Sequence, residues 1–316
     1  ALRAGLRRPD LEIVAINDLS EPDLLQYLFA SDTMHGRFDG VVGLEGGNLV
    51  VDGRPIPLLR LKDPAQLPWK RLDVDVVLEC TGALRSRRDA SRHLEAGSRK
   101  VIVSAPSDDA DLTLVMGVND QLYDPSRHHI ISNASCTTNA LAPMAAILHG
   151  EFGIEKAFAL TIHAYTSSQA LVDTPQRKRR RSRAAALNLA PTTTGAAAAV
   201  GRVLPELAGR LDGLAVRAPI ADGSIVDLTA LLSVSATVER INEAFRGAAE
   251  GKLKGVLKYV AEDGLVSSDI VGDPHSCVFD APLTMAADRM VKIMGWYDNE
   301  YGYSCRLLDA AARIGV

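Results

Sequence analysis

Short apolar runs that alternate with helix-like stretches constrain the first 135 residues more than any other feature. The runs are LEIVAIND (11–18), VDVVLECTG (74–82), KVIVSAP (100–106), LTLVMGVN (112–119) and HHIISNA (128–134). A strand with one wet face alternates polar and apolar residues, whereas a near-continuous apolar run needs cover on both faces. Between the runs lie two helix-like stretches. EPDLLQYLFA (21–30) has Ser20 as a candidate cap and a proline in its first turn; RSRRDASRHLEAG (85–97) ends on Gly97. The pattern predicts an α/β fold, a parallel sheet covered by helices.

From Cys136 onward the texture changes. CTTNALAPMAAILHGEF (136–152) reads as a long helix beginning at the cysteine. Longer strand-like runs follow: AFALTIHAY (157–165), DGLAVRAP (212–219), SIVDLTALLSVS (224–235) and VKIMGWYD (291–298), before a final helix in YGYSCRLLDAAARIGV (301–316). These suit an α+β arrangement with a mainly antiparallel sheet. With 316 residues, 47% of them hydrophobic, the chain is long enough for two cores. A net charge of -4 argues against a surface that binds nucleic acid as a whole. Cys80, Cys136, Cys277 and Cys305 are far apart and form no CxxC pair, which suits free thiols in a reducing compartment. No leader and no apolar run of about 18 residues is seen, so a soluble cytoplasmic protein is expected. His128 and His129 have no ligand set near them, and no metal site is expected.

Asp18 ends the first apolar run. In dinucleotide-binding units an acid there holds a ribose diol, about 20 residues after a glycine fingerprint. No G-x-G-x-x-G occurs in the chain, and Gly40, Gly43, Gly46 and Gly47 have the wrong spacing. Either the first strand and its phosphate loop lie upstream of residue 1, or Asp18 is an ordinary strand-end acid. Cys136 also has two readings. Cysteine is among the most buried residue types, and a structural thiol is the common case. At the first turn of a helix, however, the dipole and unpaired N–H groups favour thiolate, and the hydroxyls around Cys136 suit an oxyanion or a phosphate. A thiolate nucleophile wants a base. His163, in TIHAYT, is a candidate, or else a satisfied strand-end histidine.

Four long motifs occur in order: SNASCTTNALAP, HAYTSSQALVD, RSRAAALNLAPTTTGAAAAVGRVLPEL and GWYDNEYGY. Together they resemble the phosphorylating glyceraldehyde-3-phosphate dehydrogenase family, over the whole chain. The start resembles that family from the middle of its first helix, without the family's opening strand and glycine loop. The resemblance implies a Rossmann-type NAD-binding domain (1–135 with the C-terminal helix 299–316) and an α+β catalytic domain (136–298). It implies that Cys136 is the nucleophile and His163 its base. The thiolate attacks the aldehyde of glyceraldehyde 3-phosphate, hydride passes to the nicotinamide, and inorganic phosphate attacks the thioester to give 1,3-bisphosphoglycerate. Thr166 and Arg217 match the substrate-phosphate residues. Ser135, Thr137, Arg181, Thr194 and Gly195 match the inorganic-phosphate pocket. Asn17, Asp18, Thr81, Gly82, Ser104 and Asn299 match cofactor residues. Asp18 would repel a 2′-phosphate, and Thr174-Pro175 is closer to the Leu-Pro of NAD-using members, so the resemblance implies NAD over NADP. It also implies a homotetramer.

The chain departs from the family in places. RAPIADGS replaces a commoner RVPTP…S pattern, and TSSQ replaces residues such as TNDQ. The run RKRRRSR (177–183) is dense in cations but carries no interleaved aromatics, so it reads as a solvated loop rather than a nucleic-acid patch, and the resemblance implies a long loop packed near the cofactor of a neighbouring subunit, with Arg181 a ligand. Two other functions fit parts of the sequence. Erythrose-4-phosphate dehydrogenase shares the nucleophile and base, although the HAYT threonine tilts against it. A silent paralogue binding partners through the arginine loop would form no NADH.

Overall fold

A computed structural model describes residues 1–315. The chain divides into two compact units, one of residues 1–112, 124–132 and Leu307 onward, the other of 113–123 and 133–306.

The first unit begins with α1 (Leu2–Gly5), β1 (Ile16–Asn17) and α2 (Pro22–Ala30). A two-stranded ribbon, β2 (Ser31–Asp32) with β3 (Gly36–Arg37), is followed by a meander of β4 (Val42–Glu45), β5 (Asn48–Val51) and β6 (Arg54–Leu59). β6 also pairs in parallel with β1, Asn17 opposite Leu59. A second, parallel set follows: β7 (Val76–Glu79), α3 (Arg87–Glu95), β8 (Lys100–Val103) and, after the short β9 (Leu112–Thr113), β10 (Ile130–Ser132). α3 crosses from β7 to β8. Its Ala90 packs on Val101, Val103 and Ile130, and Ser86 caps it by accepting from Asp89 N at 3.1 Å.

Several expected elements are shorter than their apolar runs. In 11–18 only Ile16 and Asn17 find a ladder partner, so residues 11–15 form no strand. The run 112–119 stops at Thr113 because Asn119 folds it into a turn: its amide accepts from Val115 N at 2.8 Å and donates to Thr113 O at 2.9 Å. Ser20 does not cap α2. Glu21 takes that position, and the Ser20 N–H is spent on Asp18 Oδ1 at 2.8 Å. The meander was not foreseen, although its two turns, Gly46–Gly47 and Asp52–Gly53, have positive φ at both residues, as two-residue hairpin turns require.

The second unit opens with α4 (Cys136–Phe152), which starts and stops where the sequence predicts. It continues through β11 (Ile154–Ala164), β12 (Ala190–Thr193), α5 (Ala196–Val203), β13 (Leu211–Ala218) and β14 (Ser224–Leu232). After α6 (Val238–Glu250) come β15 (Leu257–Val260), α7 (Ser267–Ile270), β16 (Cys277–Asp280), β17 (Met285–Ala287), β18 (Met290–Tyr297) and α8 (Tyr301–Ile314). The sheet order is β12-β13-β11-β14-β18-β16-β15, with β17 on β18. Neighbours run antiparallel except β11 with β13 and β15 with β16. α4 is buried nearly all round, Leu141, Met144 and Leu148 sitting in one core with Val226, Leu228 and Ile293 of the sheet.

Gly97 follows α3 with φ +105°, where a side chain is strained, and a Cβ there would lie 2.4 Å from Lys70 Cβ and 2.9 Å from Lys70 Cα. Gly97→Ala is expected to destabilise the fold by more than about 2 kcal/mol, read as a lower urea midpoint. An unchanged midpoint would contradict this packing.

Candidate active site

The site is built where one strand ends and one helix begins. Ala134 is fully buried with φ +54°, a left-handed backbone that costs an alanine about 1 kcal/mol. The turn delivers Ser135 as N-cap, its Oγ accepting from Thr138 N at 3.0 Å, and Cys136 as the first helical residue. The sulfur therefore lies at the positive end of α4. Its Sγ is 3.4 Å from Nε2 of His163.

His163 comes from the far end of β11, where alternation turns Ala159, Thr161 and His163 inward. Its Nδ1 is 2.7 Å from Ala164 O. The tautomer with its proton on Nδ1 donates to Ala164 O and leaves Nε2 to accept from the thiol. Register adds a third group. β13 runs parallel to β11 with Arg217 opposite His163. Arg217 Nη1 donates to Ala164 O at 2.8 Å and lies 2.8 Å from Nδ1.

These surroundings set the charges. Burial, and then the Arg217 charge, push His163 down to about 4. Burial also pushes the Cys136 thiol up, against the opposing pull of Arg217 and of the Thr137 N–H and hydroxyl. The helix-end groups act in the direction the sequence suggests, but burial outweighs them. The resting pair is thus thiol and neutral imidazole, not the preformed thiolate expected from the helix start.

Beneath the pair lies a group that the sequence reading did not assign. Tyr297 is buried, its hydroxyl 2.9 Å from Thr137 Oγ1 and 2.7 Å from Thr161 Oγ1, and its ring meets His163 edge-on with centroids 5.9 Å apart. It ties the first turn of α4 to β11. The only signal was its position inside GWYDNEYGY. Ser224 is a second such residue: it accepts from Ala164 N at 3.1 Å and donates to Asn299 Oδ1 at 2.5 Å. Asn299 is thereby brought within two hydrogen bonds of the histidine's strand end.

Of the residues matched to phosphate sites, Ser135 and Thr137 lie at the start of α4 beside Cys136, and the others fall into three groups. Thr166 Oγ1 is 2.8 Å from Ser168 Oγ, which accepts from Arg181 Nη1 at 3.1 Å; Arg181 Nε donates to Thr192 Oγ1 at 3.2 Å. Arg217 stands beside His163, its Nε buried and unpartnered. Burial, and then the neighbouring Arg181, hold Arg217 below its ordinary range, while burial alone lowers Arg181. Among the described residues neither arginine has a carboxylate partner. Two guanidiniums, one acting on the other and neither paired with a carboxylate, are a setting that an anion relieves. Thr194 and Gly195 stand at the start of α5, with Ala196 N donating to Thr194 Oγ1 at 3.2 Å. No hydrogen bond joins them to the cysteine, histidine or arginines among the described residues.

The residues matched to cofactor contacts in the first unit lie at strand ends or just after them. Asn17's amide accepts from Leu61 N and donates to Leu61 O, both at 3.0 Å, so it pins the end of β1 and places Asp18 just beyond. Thr81 and Gly82 follow β7. Ser104 follows β8, its N–H bonded to Glu79 O at 3.0 Å. Gly82 has φ +69°, and nothing lies within 4 Å of where a Cβ would sit. An acid beyond one strand and an open glycine turn at the carboxyl end of a parallel pair fit the diol and phosphates of a dinucleotide.

Comparison with known proteins places the chain in a family. Residues 1–87 match the family model described as glyceraldehyde 3-phosphate dehydrogenase, NAD binding domain, and 135–299 match its C-terminal domain. The chain is 51% identical over 313 residues to glyceraldehyde-3-phosphate dehydrogenase of Geobacillus stearothermophilus, covering 99% of this chain and 93% of that protein. It is 54% identical over 315 residues to that of Mycolicibacterium smegmatis, covering 99% and 92%. Glyceraldehyde-3-phosphate dehydrogenase 1 of Bacillus subtilis is 49% identical over 313 residues, covering 99% and 93%.

The depressed His163 links stability to pH. With a folded value of about 4 against an ordinary 6.5, the fold favours the neutral ring. That contribution is complete above pH 6.5 and is lost as pH falls through 4, amounting to roughly 3 kcal/mol. His163→Asn is expected to lose less stability than the parent between pH 7 and pH 4 in urea titrations. Parallel losses would contradict the assignment.

Proposed function

The chain belongs to the glyceraldehyde 3-phosphate dehydrogenase family, and from that premise we propose how its residues carry out the NAD-dependent, phosphorylating oxidation of glyceraldehyde 3-phosphate. The observation that supports this most is the Cys136–His163 contact of 3.4 Å beside two arginines without acidic partners. A nucleophile, its base and an anion site meet in one unit.

Cys136 attacks the aldehyde carbon as its proton passes to His163 Nε2, giving a thiohemiacetal. Proton transfer within the pair avoids leaving either charge alone in a buried site. The Cys136 N–H and the His163 ring stabilise the oxyanion. NAD, when bound, would supply the hydride acceptor, and the oxyanion of the thiohemiacetal collapses to the thioester carbonyl as the hydride leaves its carbon. Thr166 and Arg217 hold the phosphate of the substrate, and Ser135, Thr137, Arg181, Thr194 and Gly195 hold inorganic phosphate. Phosphate oxygen then attacks the thioester carbon, forming the acyl phosphate of 1,3-bisphosphoglycerate and returning the electron pair to sulfur. Asp18, Thr81, Gly82, Ser104 and Asn299 hold the dinucleotide, with Asn17 fixing the strand before Asp18. Cofactor binding is assigned to 1–135 with 299–316, and catalysis to 136–298.

We assign the protein to the cytoplasm as a homotetramer, and the outer face of the large sheet supports the assembly. Phe158, Leu160 and Ile162 of β11 and Leu214 of β13 are 73%, 36%, 41% and 60% exposed. An apolar strip of this kind is a candidate for covering by another copy. No helix is long and apolar enough to cross a membrane among the described residues.

NADH formation from glyceraldehyde 3-phosphate and NAD is expected to require inorganic phosphate and to fall at least about 10³-fold in Cys136→Ser. Phosphate-independent turnover, or a serine variant of near-parent rate, would overturn the proposal. Phe158→Asp is expected to shift the mass in light scattering to a smaller assembly. A tetramer in that variant would place the interface elsewhere.

A further inference from the structure

A second buried polar system lies in the first unit and takes no part in the chemistry at Cys136. Glu79, the last residue of β7, is 4% exposed, as is His93 of α3, and Trp69 is 5% exposed. Trp69 Nε1 donates to His93 Nδ1 at 3.1 Å. An indole N–H is a donor only, so Nδ1 accepts and the ring proton sits on Nε2. Nε2 then donates to Glu79 Oε2 at 3.0 Å. The other carboxylate oxygen, Oε1, accepts from Thr81 N at 2.8 Å and also from the Thr81 hydroxyl. Thr81 Oγ1 in turn accepts from Ala83 N at 3.1 Å. The bonds thus run in one direction, from the indole through the imidazole to the carboxylate, and the Thr81–Gly82 turn hangs from its far end.

A buried carboxylate is expensive unless each oxygen is served. Burial pushes Glu79 up, but the bonds from His93 and Thr81 outweigh it and hold the carboxyl below its ordinary range. A leucine at this strand end would avoid that cost. It could not fix the direction of the Thr81 N–H and hydroxyl, nor hold a glycine turn of φ +69° that opens onto free space. The main chain of Glu79 does the same for the next strand, its carbonyl accepting from Ser104 N at 3.0 Å. One residue therefore sets both Thr81–Gly82 and Ser104.

We propose that Trp69, His93 and Glu79 are positioning residues for NAD: their hydrogen-bond chain presets the Thr81–Gly82 turn for the dinucleotide without touching it. This rests on the reading of Thr81 and Gly82 as cofactor contacts. Preorganising the turn lowers the ordering cost of binding, so its loss appears in affinity for NAD rather than in the chemical step.

The test is calorimetric titration of the full chain with NAD, together with melting temperature and the rate of Cys136 alkylation by iodoacetamide. Glu79→Gln, which keeps one acceptor oxygen and so sets an amide N–H against either the His93 N–H or the Thr81 N–H, is expected to raise the NAD Kd about 10-fold. Trp69→Phe, which keeps the ring and removes the donor, is expected to raise it about 3-fold and serves if the glutamine variant does not fold. Alkylation of Cys136 should stay within about 2-fold of the parent in both. Gly82→Ala, which puts a methyl into the open space, tests the underlying reading. If Gly82→Ala weakens NAD binding but the other two leave Kd unchanged and only lower the melting temperature, the chain is merely structural and the inference falls. If Gly82→Ala binds NAD like the parent, the turn is not a cofactor contact, and both the reading and the inference fall.

Discussion

The contact between the Cys136 sulfur and His163 Nε2 is the interaction on which the rest of the site depends. Neither residue reaches it alone. The sulfur is aimed by a left-handed alanine and a serine cap, and the imidazole by the inward alternation of an 11-residue strand. The ring is then locked by the Ala164 carbonyl, and Arg217 reaches the same carbonyl from the neighbouring strand. Strand register is decisive here. A slip of one residue between β11 and β13 would turn Arg217 to the outer face, because side chains alternate across a sheet.

The electrostatics of the pair run against a simple helix-dipole account. N–H groups at the start of α4 favour thiolate, yet burial dominates and holds both partners in their neutral forms. The site therefore stores its charge in the arginines rather than in the sulfur. Burial, and then Arg181, hold Arg217 below its ordinary range with no acid to offset them, and binding of a phosphate-bearing substrate brings the missing negative charge. Substrate binding and activation of the nucleophile are in this way parts of one charge balance.

What was legible in the sequence was local. The start of α4 at Cys136 could be read because a serine cap, hydroxyls and a long apolar helix follow one another directly. His163 could be read as a strand-end candidate base in TIHAYT, while its inward turn appears in the alternating burial of β11. What was not legible depends on pairing across the chain. Arg217 sits opposite His163 through a register that spans 54 residues, and Tyr297 reaches Thr137 across 160. Apolar runs overstated the strands at 11–18 and 112–119, because a ladder partner and a competing Asn119 decide where a strand stops. The roles of the phosphate and cofactor residues came from ordered motifs rather than from spacing. The Glu79–His93 bond, between a strand end and a helix that folds back on it, carried no sequence signal.

The central claim is that Cys136 carries the acyl group. Rapid mixing with glyceraldehyde 3-phosphate and NAD in the absence of phosphate, followed by acid quench and mass spectrometry of the peptides, measures this directly. The account predicts a burst of NADH matched by a phosphoglyceroyl adduct on the peptide containing Cys136. No adduct, or an adduct on the peptide of Cys80, Cys277 or Cys305, would contradict it.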